Sequence, residues 1–220
     1  LLLPGLIDRS VSEAEVFCGR DGLYTSGRIE VITGKEVSRV NFSRKRIFMA
    51  EKTHVDFEGL IIADGAGLRL PPMKGIRRQG VFALARLDGV RDLVRYLPFT
   101  ETAVVEPLGF AGIRAALALK AAGKDVAVAV RDGGLLSSVL PSARAQVLAQ
   151  ALEKRGVRLM PGGIDDVIGE TEVKAVRLKS GKVVACDMAV TEDAAPDLRF
   201  LSDTELAVGE RIPVAGPFRT

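Results

Sequence analysis

The stretch Ala103–Asp132, AVVEPLGFAGIRAALALKAAGKDVAVAVRD, decides the fold. Val104 and Val105 are a short β-branched run of the kind that fills strands. Pro107, Gly109 and Gly112 mark the turn from that strand into a helix, and Ile113, Ala116, Leu117 and Lys120–Ala121 follow at helical spacing. Gly123 is placed to end the helix in the left-handed conformation. Val126, Val128 and Val130 alternate as the next strand. Strand, glycine turn, helix and strand make half of a nucleotide-binding βαβ unit, the arrangement that holds a pyrophosphate on a helix N-terminus. The turn departs from the pattern G-x-G-x-x-G: it reads Pro107-Leu108-Gly109-Phe110-Ala111-Gly112, with proline in the first glycine position.

Downstream, Ser142–Arg155 has helical spacing, with Pro141 at its first turn and Val147, Leu148, Ala151 and Leu152 as the expected inner face. Gly156 stops it, and Val157–Met160 reads as a strand. Val173–Leu178 and Val183–Cys186 flank Ser180-Gly181, a hairpin signal, and Met188–Thr191 is another strand. Ile212–Ala215 is a further candidate strand. Upstream, Ser12-Glu13-Ala14-Glu15 is a helix start with a polar cap and early acids. Arg28–Ile32 reads as a strand, Val37–Phe42 and Arg46–Met49 as a hairpin around Ser43-Arg44-Lys45, and Leu60-Ile61-Ile62-Ala63 as a strand buried on both faces. Arg86–Tyr96 has helical spacing and ends before Pro98.

The two halves share an order: glycine, strand, glycine, β-meander, strand, small polar turn. This long-period repeat implies two related nucleotide-binding units. The second opens with its βαβ element. The first lacks an equivalent strand, glycine turn and helix, so the chain reads as a portion of a longer protein.

Composition bounds the function. The 220 residues are 47% hydrophobic and 27% charged, ordinary for a globular chain with a core. The 31 basic and 28 acidic residues are interspersed, which argues against a nucleic-acid partner. Arg44-Lys45-Arg46 and Arg77-Arg78 read as solvated turns. Cys18 and Cys186 are too few and too far apart for a zinc site or a CxxC redox pair; they read as thiols of a reducing compartment, which implies the cytoplasm. A single histidine, His54, on a strand or hairpin rim, excludes a His-rich metal site, so no metal is expected. No apolar run approaches the ~20 residues needed to span a bilayer.

Together, GRIEVITGKEV (27–37), LIIADGA (60–66), GVFALARLDGVRDLVR (80–95), GFAGIRAA (109–116) and residues 180–187 resemble the FAD- and NAD(P)H-dependent pyridine nucleotide-disulphide oxidoreductase superfamily, in particular its rubredoxin, ferredoxin and nitrite reductase branch. The order and spacing of these segments carry the resemblance, which covers nearly the whole chain. It implies an α/β fold: a Rossmann-like, three-layer nucleotide-binding domain with a β-meander, plus part of a second, FAD-type domain. Residues 1–100 would be the partial FAD-type domain, 101–195 the NAD(P)-type domain, and 196–220 the start of the returning FAD-type segment. FAD and NAD(P)H are the implied cofactors, and a redox protein or another subunit the implied partner. The cofactor-binding positions would be Gly109, Phe110, Ala111, Gly112 and Arg131 for NAD(P)H, with Val37, Ala63 and Gly65 on the FAD side. The resemblance assigns no catalytic residue.

Departures gather at these positions. The family's Ala-Thr-Gly is Ala63-Asp64-Gly65, and a carboxylate facing a pyrophosphate would repel it. The first nucleotide glycine is Pro107, which fixes φ and has no N–H; the middle position is Leu108. Arg114 replaces a glutamate. Val130 stands where an acid would bind ribose hydroxyls, and Arg131 beside it could meet a 2′-phosphate. Ala85 replaces an arginine, Thr191-Glu192-Asp193 replaces a second glycine motif, and the redox cysteine pair is absent. Gly109 and Gly112 also suit plain strand–helix packing. Two readings follow: a portion of an NAD(P)H oxidoreductase, impaired or altered, or a non-catalytic interaction domain that keeps the fold without the cofactors.

Overall fold

The computed structural model describes residues 2–17, 22–50, 53–63, 67–68, 73–192, 194–195, 197–206 and 212–214. The chain divides into two compact units: residues 1–18 with 68–194, and residues 19–67 with 195–220. Residues 81–96 supply a strand and a helix to the parallel sheet, and the 3-10 turn Leu3–Leu6 packs on the helices of the same unit.

In the smaller unit, β1 (Val37–Asn41), β2 (Arg46–Met49) and β3 (His54–Asp56) form an antiparallel meander. Asn41 pairs with Arg46 across the turn expected at Ser43–Lys45, where Lys45 takes φ 49°. His54 lies exposed on β3, its ring 6.3 Å from that of Phe48. Two expected strands are irregular here: Arg28–Ile32 and Leu60–Ala63. A strand needs a ladder partner for its N–H and C=O groups, and neither segment has one among the described residues. Ile29 N–H turns back to Tyr24 O, and Ile61 is 90% exposed. No strand forms at 212–214, and residue 215 lies outside the described residues.

Two short helices, α1 (Glu13–Val16) and α2 (Leu23–Ser26), precede this meander in the chain. The α1 start is the one its sequence announces: the Glu15 carboxylate accepts from Ser12 N–H at 2.7 Å and from the Ser12 hydroxyl at 2.6 Å. Two dipeptide strands, β4 (Gly67–Leu68) and β13 (Ala194–Ala195), pair with each other.

The larger unit is a three-layer sandwich. Its central sheet joins β5 (Val81–Ala83), β6 (Thr102–Glu106), β7 (Asp125–Val130), β8 (Arg158–Pro161) and β12 (Met188–Thr191) in the order β5-β12-β6-β7-β8, all parallel. The helices α3 (Leu87–Tyr96), α4 (Phe110–Ala121) and α5 (Ser142–Glu153) supply one covering layer. Val105, Val126, Val128, Met188 and Val190 from the sheet join Ile113, Leu119 and Leu152 from the helices in one core. The alternate residues Val104, Ala127, Ala129 and Ala189 form a second core with a meander of β9 (Ile164–Ile168), β10 (Ala175–Leu178) and β11 (Val183–Ala185). Strand alternation thus feeds two cores from one sheet, which is why its sequence reads as continuous apolar runs.

Each unit holds a three-stranded meander, as the repeat predicts, but the strands expected on either side of the first one do not form. Gly123 (φ 82°) ends α4 and Gly181 (φ 84°) turns the β10–β11 hairpin, as their placement predicts. Val147 is a correction: it is 68% exposed, and the inner face of α5 is made by Leu148, Ala149 and Leu152. Among the described residues no helix is long and apolar enough to cross a membrane.

Candidate functional site

The parallel sheet has its topological switch at β6: β7 and β8 continue to one side, β12 and β5 to the other. Ligands in such sheets bind in the crevice outside the carboxyl ends of the strands at the switch point. Here that place is bounded by Glu106 at the end of β6, the turn Pro107–Gly109 into α4, and Glu192 directly after β12.

Gly109 is the N-cap of α4 and Phe110 its first residue. The first N–H groups of a helix lack intrahelical partners and carry the positive end of its dipole. In this chain they are met by Glu192. Its Oε2 accepts from Leu108 N–H at 3.1 Å, Gly109 N–H at 2.8 Å and Gly112 N–H at 2.8 Å. The carboxylate lies directly on the glycines: a Cβ at Gly109 would be 2.9 Å from Glu192 Oε1, and one at Gly112 would be 2.6 Å from Oε2 and 2.7 Å from Pro107 Cα. Gly109 has an extended backbone, φ −150°, that any residue adopts, and the atom nearest a Cβ there would be the tip of the flexible Glu192 side chain.

The expected NAD(P)H positions are therefore brought together, around an acid of the chain itself. Gly109 and Gly112 donate to it, Ala111 is half-buried, and Phe110 is half exposed. Arg131, expected to meet a 2′-phosphate, instead reaches back to Glu106, Nη2 to Oε2 at 2.9 Å. The Glu106 side chain is 1% exposed, and its other oxygen accepts Ile164 N–H at 2.8 Å. Beside Pro107, Leu108 and Arg131 there is a cavity of about 40 Å³, hemmed by Leu135 and Leu136, both buried. Small-molecule sites run to roughly 300–1,000 Å³. A phosphate within about 4 Å of the Glu192 carboxylate would be repelled by about 4 kcal/mol per unit charge at an effective dielectric constant of about 20. The residues present do not fit an NAD(P) pyrophosphate at this loop.

On the smaller unit, Val37 and Ala63 line one cavity of about 550 Å³ together with Val40, Ile62, Lys35 and Arg199. Arg199 pairs with Asp197 on the same wall, Nε to Oδ1 at 2.8 Å, and the guanidinium beside Asp197 brings its carboxyl down to about 2. Its wall mixes apolar side chains with two cations, Lys35 and Arg199, and two acids, Glu36 and Asp197. Gly65, the remaining FAD-side position, lies outside the described residues, as do Asp64 and Cys18.

Cys186 is buried, and burial first, then the nearby Asp187, pushes its thiol up to about 12. Its thiolate is therefore disfavoured at neutral pH. Among the described residues no cluster of metal-ligating side chains occurs.

In the sequence Glu192 shows only as a departure from the family pattern, and neither its place on the loop nor the burial of Glu106 is evident there. Both acids stand at the carboxyl end of an apolar run, Ala103-Val-Val-Glu106 and Met188-Ala-Val-Thr-Glu192. Carboxylates in that register at a parallel sheet's switch point were the available signal.

The family model for pyridine nucleotide-disulphide oxidoreductase matches residues 7–220. Rhodocoxin reductase of Rhodococcus erythropolis is 26% identical over 200 residues, covering 90% of this chain and 47% of that protein. The assimilatory nitrate reductase electron transfer subunit of Bacillus subtilis (strain 168) is 22% identical over 191 residues, 86% of this chain and 25% of that protein. Among solved structures, the ferredoxin reductase for the CYP199A2 system from Rhodopseudomonas palustris has a TM-score of 0.87 at 20% identity, over 96% of this chain and 53% of that one, a likeness of fold. The chain thus spans between a quarter and about half of the length of these relatives.

Proposed function

Since the chain belongs to the pyridine nucleotide-disulphide oxidoreductase family, we propose that it is a portion of an FAD-dependent oxidoreductase that passes electrons to a protein partner and whose use of NAD(P)H is impaired. The observation that carries this reading is the contrast between its two nucleotide positions. The cavity at Val37 and Ala63 has the volume of a small-molecule site, whereas the loop at Gly109 and Gly112 is filled by Glu192. Val37 and Ala63 would hold part of the FAD through their backbone and apolar surface, with Lys35 on the same wall for its anionic groups. FAD, when bound, supplies the electron-transfer chemistry; the chain supplies its seat and orientation. The names of rhodocoxin reductase and ferredoxin reductase point to small redox proteins as the class of partner.

The full-length protein is expected to purify yellow, with stoichiometric FAD, to be reduced by dithionite, and to be reduced only slowly by NADH or NADPH. Rapid bleaching by either nucleotide would remove the impairment from this reading. A colourless, folded protein that takes up no added FAD would overturn the flavin role. That outcome would favour the second reading, a non-catalytic interaction domain, for which the filled nucleotide loop is the supporting observation.

A further inference from the structure

The occupied loop has a consequence beyond weak nucleotide use. Three N–H donors converge on the single oxygen Glu192 Oε2, the way a phosphate oxygen is received at a helix N-terminus. The donors come from the glycine turn, whereas the acceptor comes from the end of β12, 80 to 84 residues away in sequence. The two glycines that would let a pyrophosphate approach the backbone are in contact with the carboxylate instead. Glu106, a second carboxylate at the same end of the sheet, is held by Arg131 and Ile164 N–H and leaves the loop no compensating cation from Arg131. Glu192 is half-buried and stands on an unbranched side chain outside the strand, so rotation about its own bonds can release the loop without moving β12.

We infer that Glu192 is an intramolecular competitor for dinucleotide phosphate: it holds the anion position of the 107–112 loop, and NAD(P) reaches that loop only when the carboxylate leaves it. The N–H donors of Leu108, Gly109 and Gly112 are in place to receive an anion, and their occupant is built into the chain. A cap with a purely structural role would stabilise α4 and have no bearing on ligand affinity, and this is where the two roles part.

The test is isothermal titration of NAD⁺, and separately of inorganic pyrophosphate, into the full-length protein and its Glu192→Ala and Glu192→Gln variants. Glu192→Ala is expected to bind both probes at least about tenfold more tightly than the wild type, a difference of about 1.4 kcal/mol. Glu192→Gln is expected to fall between them, because its amide oxygen still accepts N–H bonds without the charge. Unchanged affinity in a folded Glu192→Ala protein overturns the inference, as does a wild type that binds as tightly as the variant. Should Glu192→Ala not fold, Glu192→Gln decides: tighter binding of both probes upholds the inference and unchanged binding overturns it. Neither probe needs flavin, so a flavin-free protein, which would defeat the proposed function, leaves this comparison readable.

Discussion

Arg131, at the end of β7, donates its Nη2 to the Oε2 of Glu106 at the end of β6, at 2.9 Å, and so ties two neighbouring parallel strands together beside the nucleotide loop. The acid is 1% exposed and the arginine 42%, so the pair is half inside the protein. Removing the arginine leaves a buried carboxylate that still accepts Ile164 N–H but has lost its cation. Arg131→Ala should therefore cost about 1–3 kcal/mol of stability in urea unfolding, less than the 3–5 kcal/mol of a fully buried pair because its guanidinium is partly hydrated. The same variant should leave the ratio of NADPH to NADH affinity unchanged, which equilibrium titration of both nucleotides would check.

Gly112 is confined by the chain around it. A Cβ there would sit 2.7 Å from both Cα and Cβ of Pro107, and backbone cannot yield as a side-chain tip can. Gly112→Ala should destabilise the protein by about 1–3 kcal/mol, as overpacked cores do. Most of that loss should persist in a Glu192→Ala background, since the Pro107 contact remains. Denaturant melts of the single and double variants measure it.

Rebuilding the nucleotide fingerprint alone should fail. Pro107→Gly with Val130→Glu restores a glycine and a ribose-binding acid but leaves the Glu192 carboxylate on Leu108, Gly109 and Gly112 N–H. The double variant should show no gain in NAD(H) binding by calorimetry, whereas the triple variant that adds Glu192→Ala should. The coupling between these neighbouring sites is the quantity of interest.

Asp187, in the turn between β11 and β12, joins that turn to the start of β6. Burial raises its carboxyl, but Thr102 N–H and Glu101 N–H, each at 2.9 Å, and the Thr102 hydroxyl at 3.0 Å outweigh burial and leave it below 3.8. A carboxyl lowered on folding stabilises the native state above its unfolded value, near pH 4, and loses that contribution as pH falls through the folded value. Asp187→Asn should lower stability at pH 7 and flatten its fall below about pH 4 relative to the wild type. Thermal melts between pH 2.5 and 7 would show it; parallel curves would contradict the assignment.

Cys186 should resist a thiol reagent such as DTNB in the folded protein at pH 8 and react once the protein is unfolded, because its thiol is buried and pushed up to about 12.

Residues 102–130 were legible because each signal there is local: alternating valines, a glycine turn, a helix of alanine and leucine, a glycine stop. Hairpins at Ser43–Lys45 and Ser180-Gly181 were legible for the same reason. Arg28–Ile32 and Leu60–Ala63 were not, since β-propensity says which residues suit a strand and nothing about whether a neighbouring strand is there to pair with. Val147 was misplaced because a helix's inner stripe depends on what it packs against. At the loop, the glycines announced an anion site, but its occupant comes from a strand 80 residues on, and no spacing rule connects 112 with 192. Arg131 was read as a ligand contact for want of any sign that Glu106, buried at the end of an apolar run, would require it.

The contact between Gly112 and Pro107 also bears on how such a loop could change over generations. Gly112 is held by packing whether or not a nucleotide is present, so the pattern by which the loop is recognised would outlast its ligand. Reversal is harder than loss: with Glu192 in place, a substitution toward glycine at 107 yields no binding for selection to act on. A change at 192 has to come first for a glycine at 107 to matter.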